Sequence, residues 1–403
     1  MGPAIFTKVL FVVALLFCTI EILATLFTIL YQRYIYDRYL RPRYDEGFNP
    51  RCSIVVPCKG IPKDLGKNLR GFLELDYNNY EVIFVAESDH DSAVDVIQQI
   101  CADNDNASLV VAGLSDKCAQ KNHNMLAALD SANDPEIYVF ADSDIKPAPN
   151  WLKELILPLS DEKVTVTSGF RWLQALKANA GELTHFYVNT FIYVTFTVAC
   201  FFGGVGLWGG SMAIRKKDFQ LLGVAKKWSK AAVDDMSLSH LVYKNSKKAV
   251  IVPYCLTQTD DLLQGVGATI SWFERQIMFL KAYQRPLWYV SLPLAIIGLI
   301  FLFLVPIALI GALLFENHTF LSLGGAAALL FLTGEAITGT LYPLLGKTPP
   351  LVKFLLFQPL LRLTHIASYF KTVVTNSIYW AGITYHLSRD GDVDTLERQI
   401  EKL

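Results

Sequence analysis

The distribution of apolar positions divides the chain into three regimes. Residues 9–30 are apolar except for Glu21, a run of about the length that crosses a bilayer. From residue 52 short apolar runs alternate with segments of helical period: SIVVP, a helix near 64–75, EVIFVA, a helix near 93–101, SLVVA, a helix near 122–132, then IYVFAD. Runs rich in β-branched and aromatic residues, separated by amphipathic helices, predict α/β architecture with a doubly wound, mostly parallel sheet. A helix near 151–159 and a strand VTVTSG follow, then an uncharged segment, 186–208, longer than most core elements. GGSMAIRKKDF predicts a tight turn, a short strand and a helix start, and VDDMSLSHLVY and residues 270–283 predict amphipathic helices. In the third regime residues 287–315 and 319–345 are long and apolar, the latter broken only by Glu335. Beyond Pro349 and Pro350 shorter apolar runs are punctuated by Lys353, Arg362, His365 and Lys371.

Composition turns this pattern into an organisation. With 403 residues, 52% of them hydrophobic, the chain is too apolar for an ordinary soluble enzyme, and 18% charged residues are too many for a pure membrane bundle. The expected arrangement is an N-terminal transmembrane helix and basic linker (1–47), a cytoplasmic domain (48–286), a transmembrane hairpin (287–346), and membrane-interface helices with a cytoplasmic tail (347–403). Arg33, Arg38, Arg41 and Arg43 after the first span place the domain in the cytoplasm, and Lys281, Arg285, Lys347 and Lys353 flank the hairpin on the same side. This is an integral membrane protein of a bacterial inner membrane or a Golgi/ER-type membrane. The first run is too long for the core of a cleaved signal peptide. A net charge of -1 excludes a nucleic-acid binder. Seven cysteines without a CxxC pair or zinc spacing read as reduced thiols.

Candidate chemistry gathers at the strand ends. The fourth strand runs into Asp142-Ser143-Asp144, and two carboxylates one residue apart at the edge of an open α/β sheet can hold a hard cation (Mn²⁺ or Mg²⁺) together with diphosphate oxygens. An acidic turn is the plainer alternative. Pro57 and Lys59 follow the first strand, Glu87, Asp89 and Asp91 the second, and Lys121 precedes the third helix. Lys59 and Lys121 read singly as solvated lysines, and only the shared sheet edge recruits them to a nucleotide site. Asp234 and Asp235 open a helix, where acids also serve as N-terminal residues. Base and metal must share one site, so segment 186–208 cannot cross the bilayer once; a pair of apolar elements at the cytoplasmic leaflet is expected instead.

With these residues in place the chain resembles the inverting family-2 glycosyltransferases of GT-A fold, and within them the ceramide glucosyltransferase-like group. The likeness rests on PCKGIPKDLGKNLRGFLELDYNNYEVIFV, SDHDSAVDV, Asp142-Ser143-Asp144, the Gly-Ser-Met-Ala stretch before Arg215, and Asp234-Asp235. It implies a UDP-sugar donor, a divalent metal at Asp142 and Asp144, uridine contacts near Asp91, Asp235 as general base and a sphingolipid-type acceptor. One departure stands out. The group's closing motif, Gln or Arg, two residues, then Arg-Trp, reads Arg275-Gln276-Ile277-Met278-Phe279 here. Its diphosphate contact therefore carries over to Arg275 alone, and the acceptor-lining role falls to Phe279.

The expected activity is a metal-dependent hexosyl transfer, glucose being one such hexose, from a UDP-sugar to the hydroxyl of a lipid in the bilayer. Three competitors remain. A haloacid-type phosphohydrolase also places Asp-x-Asp after a strand, but at the opening of its domain. A processive polysaccharide synthase shares the GT-A core and wants the intact closing motif. A retired, non-catalytic membrane scaffold would tolerate the altered one.

Overall fold

The computed structural model describes residues 3–40, 47–173, 192–201, 206–259, 265–314 and 351–399, with isolated positions 185, 189, 326, 330 and 333. Most of the expected span 319–345, its preceding loop and residues 186–188, 190–191 and 202–205 fall outside them, as do Arg41 and Arg43.

The central element is a seven-stranded sheet in the order β3-β2-β1-β4-β6-β5-β7. The strands are β1 (Cys52–Pro57), β2 (Tyr80–Ala86), β3 (Ala107–Val111), β4 (Ile137–Ala141), β5 (Val164–Leu173), β6 (Ser211–Arg215) and β7 (Lys248–Thr259). The first four pair in parallel through helices Leu65–Gly71, Ala93–Ala102 and Gln120–Asp130. β6 runs antiparallel to both β4 and β5, and β5 pairs in parallel with β7, so β6 is the one reversed strand among the described residues. β4 is buried at every position, as a continuous apolar run in a two-faced sheet requires. One core cluster packs Ile54, Val82, Val139 and Trp151 on one face of the sheet. A second packs Val55, Ile83, Phe140 and Trp228 on the other.

Strand pairing constrains segment 186–208. β5 before it and β6 after it are neighbours in register, Val166 opposite Ile214, so the chain returns to the side it left. The described middle of the segment is a nine-residue helix, Tyr193–Phe201. Its Phe201 ring lies 4.6 Å from Phe27 of the N-terminal helix.

The N-terminal helix, Pro3–Ile35, leads into a π-helical turn, Tyr36–Leu40. It carries the one stretch among the described residues, Phe11–Leu40, that meets the length and apolarity needed to cross a membrane. Leu16, Ile20, Leu23 and Leu30 stand exposed on it. A second long apolar helix, Arg285–Leu314, follows the helix Gly265–Tyr283. Helix Leu351–Val374 packs against both.

The chain end departs from expectation. Residues anticipated as interface helices and a polar tail form a three-stranded antiparallel sheet: β8 (Ser377–Trp380), β9 (Ile383–Leu387) and β10 (Val393–Arg398). Ile378, Ile383, Tyr385 and Leu387 are buried against Met278, Phe279 and Tyr283, and their solvent-facing neighbours make the stretch look polar. Residues 381 and 382 turn the β8–β9 hairpin with positive φ, 50° at Ala381 and 80° at Gly382, the twist a two-residue hairpin turn demands.

Candidate active site

Three backbone elements bring the acidic residues together. Asp142 leaves the end of β4, its amide donating to Gly210 O across 3.3 Å, and Asp144 follows in the same turn. Asp234 and Asp235 are the first two residues of helix Asp234–Lys244. The Gly209-Gly210 turn before β6 lies between the two pairs. A Cβ on Gly209 would come within 2.3 Å of Asp234 Oδ2, and one on Gly210 within 2.6 Å of Asp142 Oδ2, so backbone without side chains is what lets the carboxylates converge.

Two cations knit the cluster. Lys121, in the first turn of its helix, places Nζ 2.8 Å from Asp142 Oδ1 and 3.0 Å from Asp234 Oδ2. Burial pulls the ammonium pKa down, but the Asp142 and Asp234 carboxylates outweigh it and hold it above the ordinary lysine value. Arg171 Nη2, from β5, donates to Asp142 Oδ2 at 3.0 Å and lies 3.4 Å from Asp144, its guanidinium 5.3 Å from the Trp208 ring. Burial would raise Asp142, yet Lys121 and Arg171 prevail and its pKa is lowered. Asp144, held only by the looser Arg171 contact, is raised by burial and by neighbouring Asp142.

Asp235 differs from its neighbour. Asp234 is buried against Lys121, whereas Asp235 is partly open to the cavity. The Gly209 amide donates to Asp235 Oδ2 at 2.9 Å and the Met236 amide to Oδ1 at 2.6 Å, fixing the carboxylate plane. Burial and then the Asp234 charge push its pKa up to about 7. A carboxylate so tuned is half ionised at neutral pH, as a general base needs.

Most of the remaining expected residues line the same cavity. Lys59 pairs with Glu87 at 2.8 Å and also donates to Ala381 O at 3.2 Å. Pro57, Ser143 and Arg275 line the cavity as well. The Arg275 guanidinium lies 5.8 Å from the Trp380 ring, and burial together with nearby Arg171 lowers its pKa to about 10. Asp89 and Asp91 lie outside the lining. Asp89 is exposed beside His90, and Asp91 Oδ1 accepts from the Gly60 and Ala93 amides at 2.8 and 2.9 Å, bracing the loop after β1. Of the altered closing motif, Gln276 and Phe279 reach the cavity while Met278 is buried against the C-terminal sheet. Arg171 and Trp380 are the site residues that sequence reasoning missed.

Among the described residues no group of three His, Cys, Asp or Glu side chains converges on one point. A Mg²⁺- or Mn²⁺-type ion that takes one or two carboxylates and completes its shell with substrate phosphates and water fits the donor set of Asp142 and Asp144. The cavity itself has a volume of about 1150 Å³. Its lining combines the carboxylates, Lys121, Arg171 and Arg275 with apolar residues: Ile20 and Ala24 of the N-terminal helix, Phe170, Trp272, Leu287 and Ala295.

Comparison with known proteins identifies the family. Ceramide glucosyltransferase 1 of Caenorhabditis elegans is 22% identical over 205 residues, 50% of this chain and 44% of that protein, so the match spans under half the length of the relative. The mannosyltransferase PcManGT from Pyrobaculum calidifontis, solved with GDP-Man and Mn²⁺, superposes with a TM-score of 0.52 at 18% identity, over 91% of this chain and 99% of that one; the likeness is one of fold. Residues 12–393 match glycosyl transferase family 21, and the chain belongs to that family.

Proposed function

We propose that the protein transfers a hexose from a UDP-sugar to the hydroxyl of a membrane lipid, a ceramide-like sphingolipid being favoured, with inversion at the anomeric carbon. The observation that carries this reading is one cavity lined both by the carboxylate cluster and by residues of the two longest apolar helices. A donor diphosphate belongs against the charged residues. An acceptor entering from the bilayer belongs against the apolar ones, with its hydroxyl near Asp235.

In this reading a divalent cation at Asp142 and Asp144 would supply positive charge to the departing diphosphate. The chain does the rest. Lys121 and Arg171 hold Asp142 ionised and in place, and Arg275, still charged with a pKa of about 10, adds to the field that favours the leaving group. Asp235, oriented by the Gly209 and Met236 amides, accepts the proton of the lipid hydroxyl as its oxygen attacks. Burial, and after it the neighbouring Asp234 charge, keeps the Asp235 pKa high. The apolar walls keep bulk water from competing as the acceptor.

Incubating the purified protein with a panel of UDP-sugars and extracted membrane lipids, and reading products by mass spectrometry, tests the reading. A glycolipid formed from one donor supports it. Donor turnover to free sugar alone, or transfer to soluble oligosaccharide, would exclude the lipid acceptor.

A further inference from the structure

A second pocket, of about 460 Å³, shares no lining residue with the catalytic cavity. Lys281, Arg285 and Arg389 line it, with Trp288, Tyr289, Val373 and Asn376 forming the remaining wall. Lys281 Nζ donates to Thr372 O and, at 2.9 Å, to Thr375 O, the last carbonyls of helix Leu351–Val374, so one of its three donors is left over. Arg285 Nη2 donates to Arg389 O at 2.8 Å, which holds the β9–β10 turn against the start of the apolar helix and draws the two guanidinium-bearing residues together.

Arg285 Nε also donates to Lys281 O at 3.5 Å, and among the described residues none of the three makes an ion pair. Nearby cations are matched: Lys227 and Lys230 both reach Asp392, and Lys371 reaches Glu274. Three like charges gathered without a counterion repel one another unless an anion joins them. The wall decides which anion. Trp288 donates its indole N–H to Thr372 Oγ1 at 3.2 Å and turns its ring toward Lys281, 5.5 Å from Nζ, and Tyr289 is 63% exposed. Both sit in the first turn of the 30-residue helix Arg285–Leu314, where aromatic side chains mark the boundary between headgroups and acyl chains.

We propose that this pocket binds the phosphodiester headgroup of an anionic phospholipid, the acyl chains lying along helix Arg285–Leu314. The proposal rests on the reading of that helix as membrane-embedded and on no feature of the transfer reaction. Bound there, the lipid neutralises the cluster and fixes the junction between the soluble domain and the apolar helix.

The full chain in a phosphatidylcholine-based micelle gives the test. Adding phosphatidylglycerol should raise the melting temperature and leave lipid bound in native mass spectrometry; extra phosphatidylcholine, or inorganic phosphate at the same concentration, should do neither. Arg285→Gln/Arg389→Gln should lose most of the shift, and Arg285→Lys/Arg389→Lys should keep most of it; Lys281 is spared because it caps a helix. Should the glutamine variant not fold, the lysine variant and the three-ligand comparison still decide. Equal shifts from phosphatidylglycerol and phosphatidylcholine, an equal shift from inorganic phosphate, or a glutamine variant with the full shift would overturn the proposal. Transfer assayed in the phosphatidylcholine sample separates the two readings: a lipid shift without transfer leaves this site standing and removes the proposed function, and the converse removes only this site.

Discussion

The Gly209 amide donates to Asp235 Oδ2 across 2.9 Å and so joins the turn before β6 to the first turn of helix Asp234–Lys244. The same glycine leaves no space for a methyl group, since a Cβ would sit 2.3 Å from Asp234 Oδ2. Gly209→Ala should therefore push Asp234 off Lys121 and tilt Asp235. Overpacking of this kind costs about 1–3 kcal/mol, read as a lowered denaturation midpoint, and glycosyl transfer should fall by roughly 10²-fold because a small misplacement of the base is enough. Full activity in Gly209→Ala would mean that the turn is not part of the site.

Asp235→Asn should keep fold and donor affinity and lose transfer by on the order of 10²–10⁴-fold, the usual worth of a positioned base. Asp234→Asn should be milder in rate, since Asp234 touches Lys121 and not the acceptor. The pH dependence has a definite sign. With Asp235 at about 7, the rate should fall below neutrality as one proton binds. For stability, a carboxyl whose folded pKa lies above its unfolded value favours the folded state at low pH, and that contribution is lost as pH rises from about 4 through about 7. The wild type should thus lose more melting temperature between about pH 4 and about pH 7, the span of that titration, than Asp235→Asn does. Parallel curves for the two proteins would remove the raised pKa from the account.

Much of this site was legible from the chain alone, and the reasons for the gaps are physical. β1 to β4 announce themselves because strands buried on both faces read as unbroken apolar runs, and the Asp142-Ser143-Asp144 turn follows the last of them. Arg171 escaped because the expected strand stops at Gly169, whereas β5 continues to Leu173. That glycine marks no end: a Cβ there would lie 2.5 Å from both Cys255 O and Ser211 Oγ, so it serves the close approach of neighbouring strands. Trp380 escaped with the whole C-terminal sheet, whose one-sided burial alternates apolar and polar residues and resembles a solvated tail. The partnership of Asp234 with Lys121 joins residues remote in sequence and has no local signal.

Donor binding should require a divalent cation. Calorimetry of UDP with and without Mn²⁺ measures it, and equal binding in EDTA would count against the assignment of Asp142 and Asp144. The two carboxylates should also separate in a second readout. Asp142→Asn leaves Lys121 and Arg171 each short of a partner and should cost roughly 2–3 kcal/mol, below the about 3–5 of a fully buried pair because the Asp142 side chain is 23% exposed. Asp144→Asn, losing only a 3.4 Å contact, should bind UDP poorly in Mn²⁺ yet unfold near the wild-type midpoint.

The C-terminal sheet should be required for donor binding as well as for stability. Three of its contacts hold loops that carry site residues: Ala381 O accepts from Lys59 at 3.2 Å, Tyr385 OH accepts from the Gln120 amide at 3.2 Å, and Arg398 Nη2 donates to Ser115 O at 3.0 Å. Gln120 directly precedes Lys121, so the last two fix the approach of the lysine to Asp142 and Asp234. Removing residues 376–403 would uncover Met236, Met278 and Phe279 and should leave little soluble, folded protein. Tyr385→Phe is the finer test, because it keeps the ring in the core and deletes one hydrogen bond. Stability should drop by about 0.5–1.5 kcal/mol, and KM for the donor should rise several-fold with kcat changed less. Arg398→Gln should shift the same parameter in the same direction. If both variants bind donor as the wild type does and the shortened chain still transfers sugar, the sheet is a passive cover, and the alignment of Lys121 must be set by the central sheet alone.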